Sequence, residues 1–484
     1  MREAGVRIST GVGGLDEILE GGLIAGKTYV VRGGPGTGKT TLGMQFLAEG
    51  ARLGEKTLFI SLDEAEESIR QSARTLGLRF DDVAFLDMSP PSDYFTEVQT
   101  YDIFSPAEVE REPFANRVTE AVLKHNPTRV FLDPLTQFRY LSTDIFQFRK
   151  QVLSFLRFLT EQGATVVFTS ESSTAHPDED LQFMADGILD LLFDEEGGRS
   201  VCVKKLRGSD FMGNTHSMRL SVHGMEVYPR LVPKAHNVVF SLDTIPSGVA
   251  ELDDLISGGV ERGTVTFLSG PTGVGKTTVG LQFMKEAAER GERSVLFSFE
   301  EEVSLMLYRA QSIGMDAREL VDQGMLRIER IEPLRYSPDE FAKKVRSQVE
   351  EDNVRVVMID SVSGYRLCMR GSELVAHLHA LCKYLQNMGV AVLLAIETTQ
   401  LTGDFRVTDV DISYLSDNII FLRYLEIDGH LRKAIGVLKK RLSNFEKTLR
   451  EFEITPQGIR IGEPLLELRG ILSGVPAWNK RGEA

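Results

Sequence analysis

The chain repeats itself once. Residues Gly11–Gly77 run through GVGGLDEIL, the glycine loop GGPGTGKTT, the apolar-periodic stretch LGMQFLAEGARLGE and TLFISLDEAEE. Residues Gly248–Gly314 run through GVAELDDLI, GPTGVGKTT, VGLQFMKEAAERGE and SVLFSFEEEVS. Matched positions are offset by 237, so Asp16 pairs with Asp253, Lys39 with Lys276, Gln45 with Gln282 and Asp63 with Glu300. A unit this long carries several hydrophobic runs of its own and needs no stacked neighbour to close a core, unlike a solenoid repeat. The duplication predicts two tandem domains of about 235 residues. We place them at 1–232 and 233–484, parted within the proline-containing stretch VYPRLVPKAHN, Val227–Asn237.

Inside each copy, short β-branched runs alternate with helical ones. TYVVRGG, KTLFISL, RVFLDPL, TVVFTSE and VCVKKL in the first copy match VTFLSG, SVLFSFE, RVVMIDS, AVLLAIE and AIGVLKK in the second. Continuous Val/Ile/Leu/Phe strands separated by helices predict an α/β fold with a mostly parallel sheet covered on both faces.

Both glycine loops satisfy G-x-x-x-x-G-K-[ST] between an apolar strand and an apolar-periodic helix. The contact residues expected for a bound nucleotide are Gly34, Gly36, Thr37, Gly38, Lys39, Thr40 and Thr41, and Thr272, Gly273, Val274, Gly275, Lys276, Thr277 and Thr278. Glycines let backbone N–H groups turn inward around phosphates, and the helix N-terminus adds partial positive charge. Lys39 and Lys276 reach the β- and γ-phosphates of ATP, and the hydroxyls of Thr40 and Thr277 ligate Mg²⁺. The metal also needs a carboxylate at the end of an adjacent strand; RVFLDP ends on Asp133 and RVVMID on Asp360. A strand-ending Asp can instead initiate a turn or cap a helix. Acid pairs end the second strand of each copy, Asp63-Glu64 and Glu300-Glu301. A carboxylate there serves as general base in phosphoryl transfer or caps the following helix, and a pair can do both.

Other classes are disfavoured. Lys plus Arg number 55 against 70 Asp plus Glu, a net charge of −15, so bulk charge does not hold the chain on DNA or anionic lipid. No apolar run of about 18 residues appears, nor an apolar signal segment at the N-terminus. Cys202, Cys368 and Cys382 show no CxxC spacing, so neither a disulfide scaffold nor structural zinc is expected. A cytoplasmic protein is the expectation. His377 and His379 lie two apart on a predicted helix and face different ways, which argues against a metal pair. In FQFRKQVLSFLRFL, Phe146, Leu153, Leu156 and Leu159 are expected to form a buried helix face. The stretch from SPPSDYFTEVQT to VEREPFANR reads as a mobile flap or a partner surface.

The tandem GGPGTGKTT and GPTGVGKTT domains, the paired acids and the K-x-R near each domain's end together resemble the KaiC family. These are circadian-clock ATPases and autokinases of cyanobacteria, with homologues in other bacteria and archaea. The resemblance runs from ISTGVGGLDEIL to ILSGVP. It implies two RecA-like P-loop NTPase domains, a homohexamer of stacked double rings, and ATP bound between subunits. By position, Lys205 and Arg207, and Lys439 and Arg441, match cations that reach a neighbour's γ-phosphate. A site shared between subunits calls for such a cation. In the family the first domain hydrolyses ATP, and the second also phosphorylates an adjacent Ser-Thr pair on the neighbour. Ser413 matches that serine, with Glu300 as base; Tyr414 replaces the threonine, and Thr408 is a weaker candidate.

There are departures from the family pattern. Asp63 replaces a Glu, which weakens water positioning or shifts it to Glu64. Gly213 stands in place of a basic residue, and Leu442 in place of a Gly. The short tail after Pro476 argues against a KaiA partner, while a KaiB-like partner fits. The leading expectation is a Mg²⁺-ATP-dependent ATPase and serine autokinase used in signalling or timing. The alternatives are a RecA- or DnaB-like DNA-dependent ATPase and an ATP-gated protein scaffold.

Overall fold

The apolar runs form strands whose two faces are both packed. A computed structural model describes residues 5–90, 106–141, 144–171, 178–193, 197–368, 374–398, 412–427, 429–470 and 477–478. The chain divides into two units, Met1–Arg230 and Leu231–Ala484.

The first unit runs β1 (Thr28–Arg32), α1 (Lys39–Arg52), β2 (Thr57–Ser61), α2 (Glu66–Thr75), β3 (Ala84–Asp87), α3 (Pro106–His125) and β4 (Arg129–Asp133). It continues with α4 (Ile145–Glu161), β5 (Thr165–Ser170), α5 (Glu179–Met184), β6 (Gly187–Phe193), β7 (Arg199–Leu206), β8 (Thr215–Ser221) and β9 (Gly224–Tyr228). The sheet order is β9-β8-β7-β6-β1-β5-β4-β2-β3. Six strands from β6 to β3 are parallel, and β7 to β9 extend the sheet antiparallel. Alternate residues serve opposite faces. Val31, Phe59 and Phe131 join the α1 side, while Val30, Leu58, Ile60, Val130 and Leu132 pack under α3 and α4.

The second unit runs β10 (Val265–Gly270), α6 (Lys276–Glu289), β11 (Arg293–Ser298), α7 (Val303–Ser312), α8 (Ala317–Asp322), β12 (Leu326–Arg330), α9 (Pro338–Glu350) and β13 (Val354–Asp360). There follow α10 (Val362–Arg366), α11 (Leu374–Asn387), β14 (Ala391–Glu397), β15 (Asn418–Ile427), β16 (His430–Lys440), β17 (Arg450–Thr455) and β18 (Gly458–Pro464). Its order, β12-β11-β13-β14-β10-β15-β16-β17-β18, is the same arrangement. Two mostly parallel nine-stranded sheets flanked by helices make the chain a tandem pair of RecA-like domains.

One expectation is corrected by the strand order. The Asp133 and Asp360 strands are not beside the phosphate-loop strands; β5 and β14 lie between. The helices after the loops still reach them, because Gly43 and Gly280 lack side chains. A Cβ at Gly43 would lie 2.0 Å from the Phe131 ring, and one at Gly280 would lie 2.2 Å from Met358 Sδ.

A second correction concerns α4. Leu156 and Leu159 are buried, but with Phe148 and Val152, while Phe146 and Leu153 are 69% and 49% exposed. The helix is apolar on more than one face. Its start is fixed by Asp144, whose carboxylate accepts from the Gln147 N–H at 2.9 Å. That phase turns the 148-152-156-159 stripe, at helical spacing, toward the sheet. The VEREPFANR stretch is part of α3 rather than a flap, whereas residues 91–100, Thr408 and the ILSGVP segment lie outside the described residues.

Candidate active sites

Each phosphate loop closes on its own lysine. Gly38 and Gly275 cap α1 and α6 with φ of 104° and 122°, a backbone that side chains rarely adopt. Lys39 Nζ donates to the carbonyls of Gly33 and Gly34 at 2.7 and 3.0 Å; Lys276 Nζ donates to Gly270 and Pro271 at 2.9 and 3.0 Å. The cation therefore sits in the mouth of the loop, where a phosphate can take over its bonds. Burial lowers both lysine pKa values, opposed by Glu171 and Asp133 around Lys39 and by Glu397, Asp360 and Glu300 around Lys276. Thr37 donates to the Gly34 carbonyl at 2.9 Å. Val274, its counterpart, is buried in the core and offers the loop only its backbone. Gly34, Gly36, Thr272 and Gly273 are exposed on the open side, and Thr41 and Thr278 lie in the first helical turn.

Thr40 Oγ1 donates to Asp133 Oδ2 at 2.6 Å, and Thr277 Oγ1 donates to Asp360 Oδ2 at 2.7 Å. The donors are all oxygen and come from two residues per site, which suits Mg²⁺, an ion that keeps much of its own water. The two aspartates differ in their surroundings. A second hydroxyl, that of Thr169 on β5, also donates to Asp133. Ala395 holds the corresponding register place on β14. Burial pushes the Asp360 carboxyl above its ordinary range, with Glu300 adding to the effect and Thr277 opposing it.

The acids of each pair face different ways. Asp63 accepts from the Gln137 amide at 2.5 Å and Glu300 from the Ser361 hydroxyl at 2.7 Å. Both thus lean toward the segment that follows the aspartate strand. Glu64 instead accepts from Ser68 of α2 at 3.2 Å, and Glu301 pairs with Arg309 of α7 at 2.9 Å. The first acid of each pair is therefore the one turned to the segment after the aspartate strand, and the second serves the next helix. Burial raises the Asp63 pKa, reinforced by Glu171 and Asp133.

Sequence reasoning missed Glu171 and Glu397, which follow or end the intervening strands β5 and β14. Each lies close enough to the loop lysine to offset its burial, and Glu397 Oε1 accepts from Thr272 at 3.2 Å. The signal was available, since TVVFTSE and AVLLAIE end on the same residue.

The basic residues are not beside their own loops. β7 runs antiparallel to β6, so Leu206 pairs with Gly187 at the end of the sheet opposite the loop. Lys205 Nζ donates there to the carbonyls of Gln182 and Ala185 at 3.1 and 2.7 Å, and Arg207 lies 3.8 Å from Asp186. Lys439 likewise donates to the Ser416 carbonyl, and Arg441 pairs with Asp417 at 3.0 Å. Burial and the neighbouring arginine lower the pKa of both lysines. Ser413 and Tyr414 are exposed on the turn Ser413–Leu415, just ahead of β15, and Ser416 Oγ donates to the Ser413 carbonyl at 2.7 Å. Leu442 is exposed, as is Gly213. His377 lies 3.7 Å from Asp339, whereas the His379 ring lies 6.0 Å from that of Tyr414. Among the described residues, no helix is long and apolar enough to cross a membrane.

The KaiC ATPase family model matches residues 8–232 and again 245–465. The chain is 29% identical over 497 aligned residues to the circadian clock protein KaiC3 of Synechocystis sp., covering 99% of this chain and 96% of the relative. It is 28% identical to the circadian clock oscillator protein KaiC of Synechococcus elongatus, covering 98% and 92%. To that of Parasynechococcus marenigrum it is 27% identical, covering 97% and 93%.

Proposed function

Because the chain belongs to the KaiC family of ATPases, we propose that both domains bind Mg²⁺-ATP between subunits of a homohexamer and that the second also phosphorylates Ser413 of a neighbouring copy. The observation that carries this reading is a clustering at one end of each sheet. Lys439, Arg441 and the Ser413 turn share a hydrogen-bonded knot, Lys439 to Ser416 and Ser416 back to Ser413, away from their own loop. Groups placed there serve a site only on another copy.

Lys39 and Lys276 exchange their loop carbonyls for the β- and γ-phosphates and neutralise them. Thr40 with Asp133, and Thr277 with Asp360, would hold Mg²⁺, which when bound spreads the charge of the β- and γ-oxygens. Asp63, held by Gln137, orients a water in the first domain and takes its proton as its oxygen attacks the γ-phosphorus. Glu300, held by Ser361, takes the proton of water or of the Ser413 hydroxyl, and ADP leaves. Lys205 and Arg207, or Lys439 and Arg441, offset charge on the transferring group from the neighbouring subunit. On this reading the protein works in the cytoplasm as a signalling or timing ATPase, with a KaiB-like protein as a fitting partner.

The test is incubation of the full chain with Mg²⁺-ATP, followed by intact mass and peptide mapping. One phosphate on Ser413, absent from Glu300→Gln, is the expected result. ADP release with no protein-bound phosphate, or a phosphate mapped elsewhere, overturns the kinase reading.

A further inference from the structure

We propose that Arg32 is a positioning residue, linking the base of a subunit's own first-domain phosphate loop to the cations that the subunit presents to its neighbour. The inference rests on the reading of Lys205 and Arg207 as cations acting in trans. Arg32 is the last residue of β1, directly ahead of Gly33. Its guanidinium forks onto Asp178, Nε to Oδ2 at 2.7 Å and Nη2 to Oδ1 at 2.8 Å, and its Nη1 reaches Asp190 of β6 at 2.9 Å. Asp178 is 1% exposed and also accepts from Ser170 of β5 at 2.8 Å and from Gln182 at 3.0 Å. Burial alone would push this carboxyl up; Arg32 and the two other donors hold it below its ordinary range.

Asp178 directly precedes α5, and the far end of α5 leads to the cations. The carbonyls of Gln182 and Ala185 receive Lys205 Nζ, and Asp186, the next residue, faces Arg207. Asp186 also accepts from the backbone N–H and the hydroxyl of Thr28, at the start of β1, at 3.2 and 3.1 Å. Thus β1 grips the α5 segment at both ends, through Arg32 beside the phosphate loop and Thr28 beside the cations. A planar fork fixes direction as well as distance, which a lysine cannot do. The second domain has an uncharged residue, Ser269, in register at this place, so the ionic grip belongs to the first domain.

Complementation between full-length chains tests this, in a Lys276→Ala background that limits turnover to the first domain. A chain with Lys39→Ala has no working first loop but offers intact cations; a chain with Arg207→Ala has the loop but no cation to give. Mixed, they recover ATP turnover if cations act in trans. Adding Arg32→Ser to the Lys39→Ala chain is expected to cut that recovery about tenfold, as a displacement of roughly 1 Å can, and Arg32→Lys restores only part of it. The double substitution Arg32→Ser with Asp178→Ser removes the buried carboxylate together with its partner, and a normal melting transition certifies its fold. Equal recovery with and without Arg32, in a chain that melts normally, overturns the inference and leaves the trans reading standing. No recovery in the parent mixture overturns the trans reading itself.

Discussion

Tyr29 of the first domain packs over Gly187, whose absent Cβ would lie 2.5 Å from the ring, and its hydroxyl bonds the Ile24 backbone. Leu206 packs into the same core, Ile24 stands in sequence register with Glu261, and burial pushes the phenol up to about 12. At the same register places the second domain has Thr266, Asn418, Glu261 and Lys440. Lys440 Nζ donates to Glu261 Oε1 at 2.6 Å, Ser443 donates to the same oxygen at 2.9 Å, and both charged side chains are buried. Burial works against the Glu261 carboxylate, yet Lys440 brings it below its usual range. One domain closes this corner with apolar volume and the other with a paired charge. Polar groups are likewise exchanged at Arg32 against Ser269 and Thr169 against Ala395. The loops that would meet the nucleotide are nearly alike, so divergence has been taken up by what supports them.

The largest effect should be symmetric. Lys39→Ala and Lys276→Ala are each expected to weaken nucleotide binding roughly 1,000-fold in their own domain alone. Bound adenine nucleotide per chain should fall by half in either variant; loss from both domains at once would break the comparison. Next comes an asymmetric effect on folding. Glu261→Gln leaves Lys440 buried without its partner and should cost the second domain about 3 kcal/mol in urea unfolding. Borrowing the first domain's solution, Glu261→Ile with Lys440→Leu, should recover most of that loss.

Catalysis separates the two halves less steeply. With the other domain silenced at its lysine, Glu300→Gln should slow single turnover about 100-fold. Asp63→Asn should slow it only about tenfold, because this shorter side chain positions water less well. Asp63→Glu is expected to raise the first domain's rate. The smallest effect is on pH. If Asp360 holds the metal as proposed, it must be ionised to do so, and Mg²⁺-nucleotide binding in the second domain should weaken as pH falls toward its raised pKa, measured by calorimetry. Ala395→Thr, supplying the hydroxyl that Thr169 gives Asp133, should move that weakening down by up to about one pH unit. The stability sign is opposite. Folded Asp360 holds its proton more tightly than the unfolded chain does, so its contribution in nucleotide-free protein is present at low pH and lost as pH rises through the folded value.

The duplicated plan was legible because glycine loops, β-branched runs and strand-ending acids are local signals. Strand order is not local: nothing in RVFLDP reveals that TVVFTSE is inserted between it and TYVVRGG. Glu171 and Glu397 end matching runs in the two copies, but only the intervening strand brings them beside the lysines. The grip of Arg32 on Asp178 spans 146 residues and has no spacing rule. α4 misled through excess, offering more apolar residues than one buried stripe needs.

Gly43 and Gly280 set a tolerance that reaches beyond packing. Each lies one turn beyond the lysine and threonine of its helix, against the side chain two residues before the strand-ending aspartate, Phe131 or Met358. A single methyl at either glycine would act as a shim, tilting the whole first turn and opening the hydroxyl–carboxylate span now closed at 2.6 or 2.7 Å. The ring in one half and the thioether in the other can therefore vary in shape, while the gauge between helix and strand stays the same.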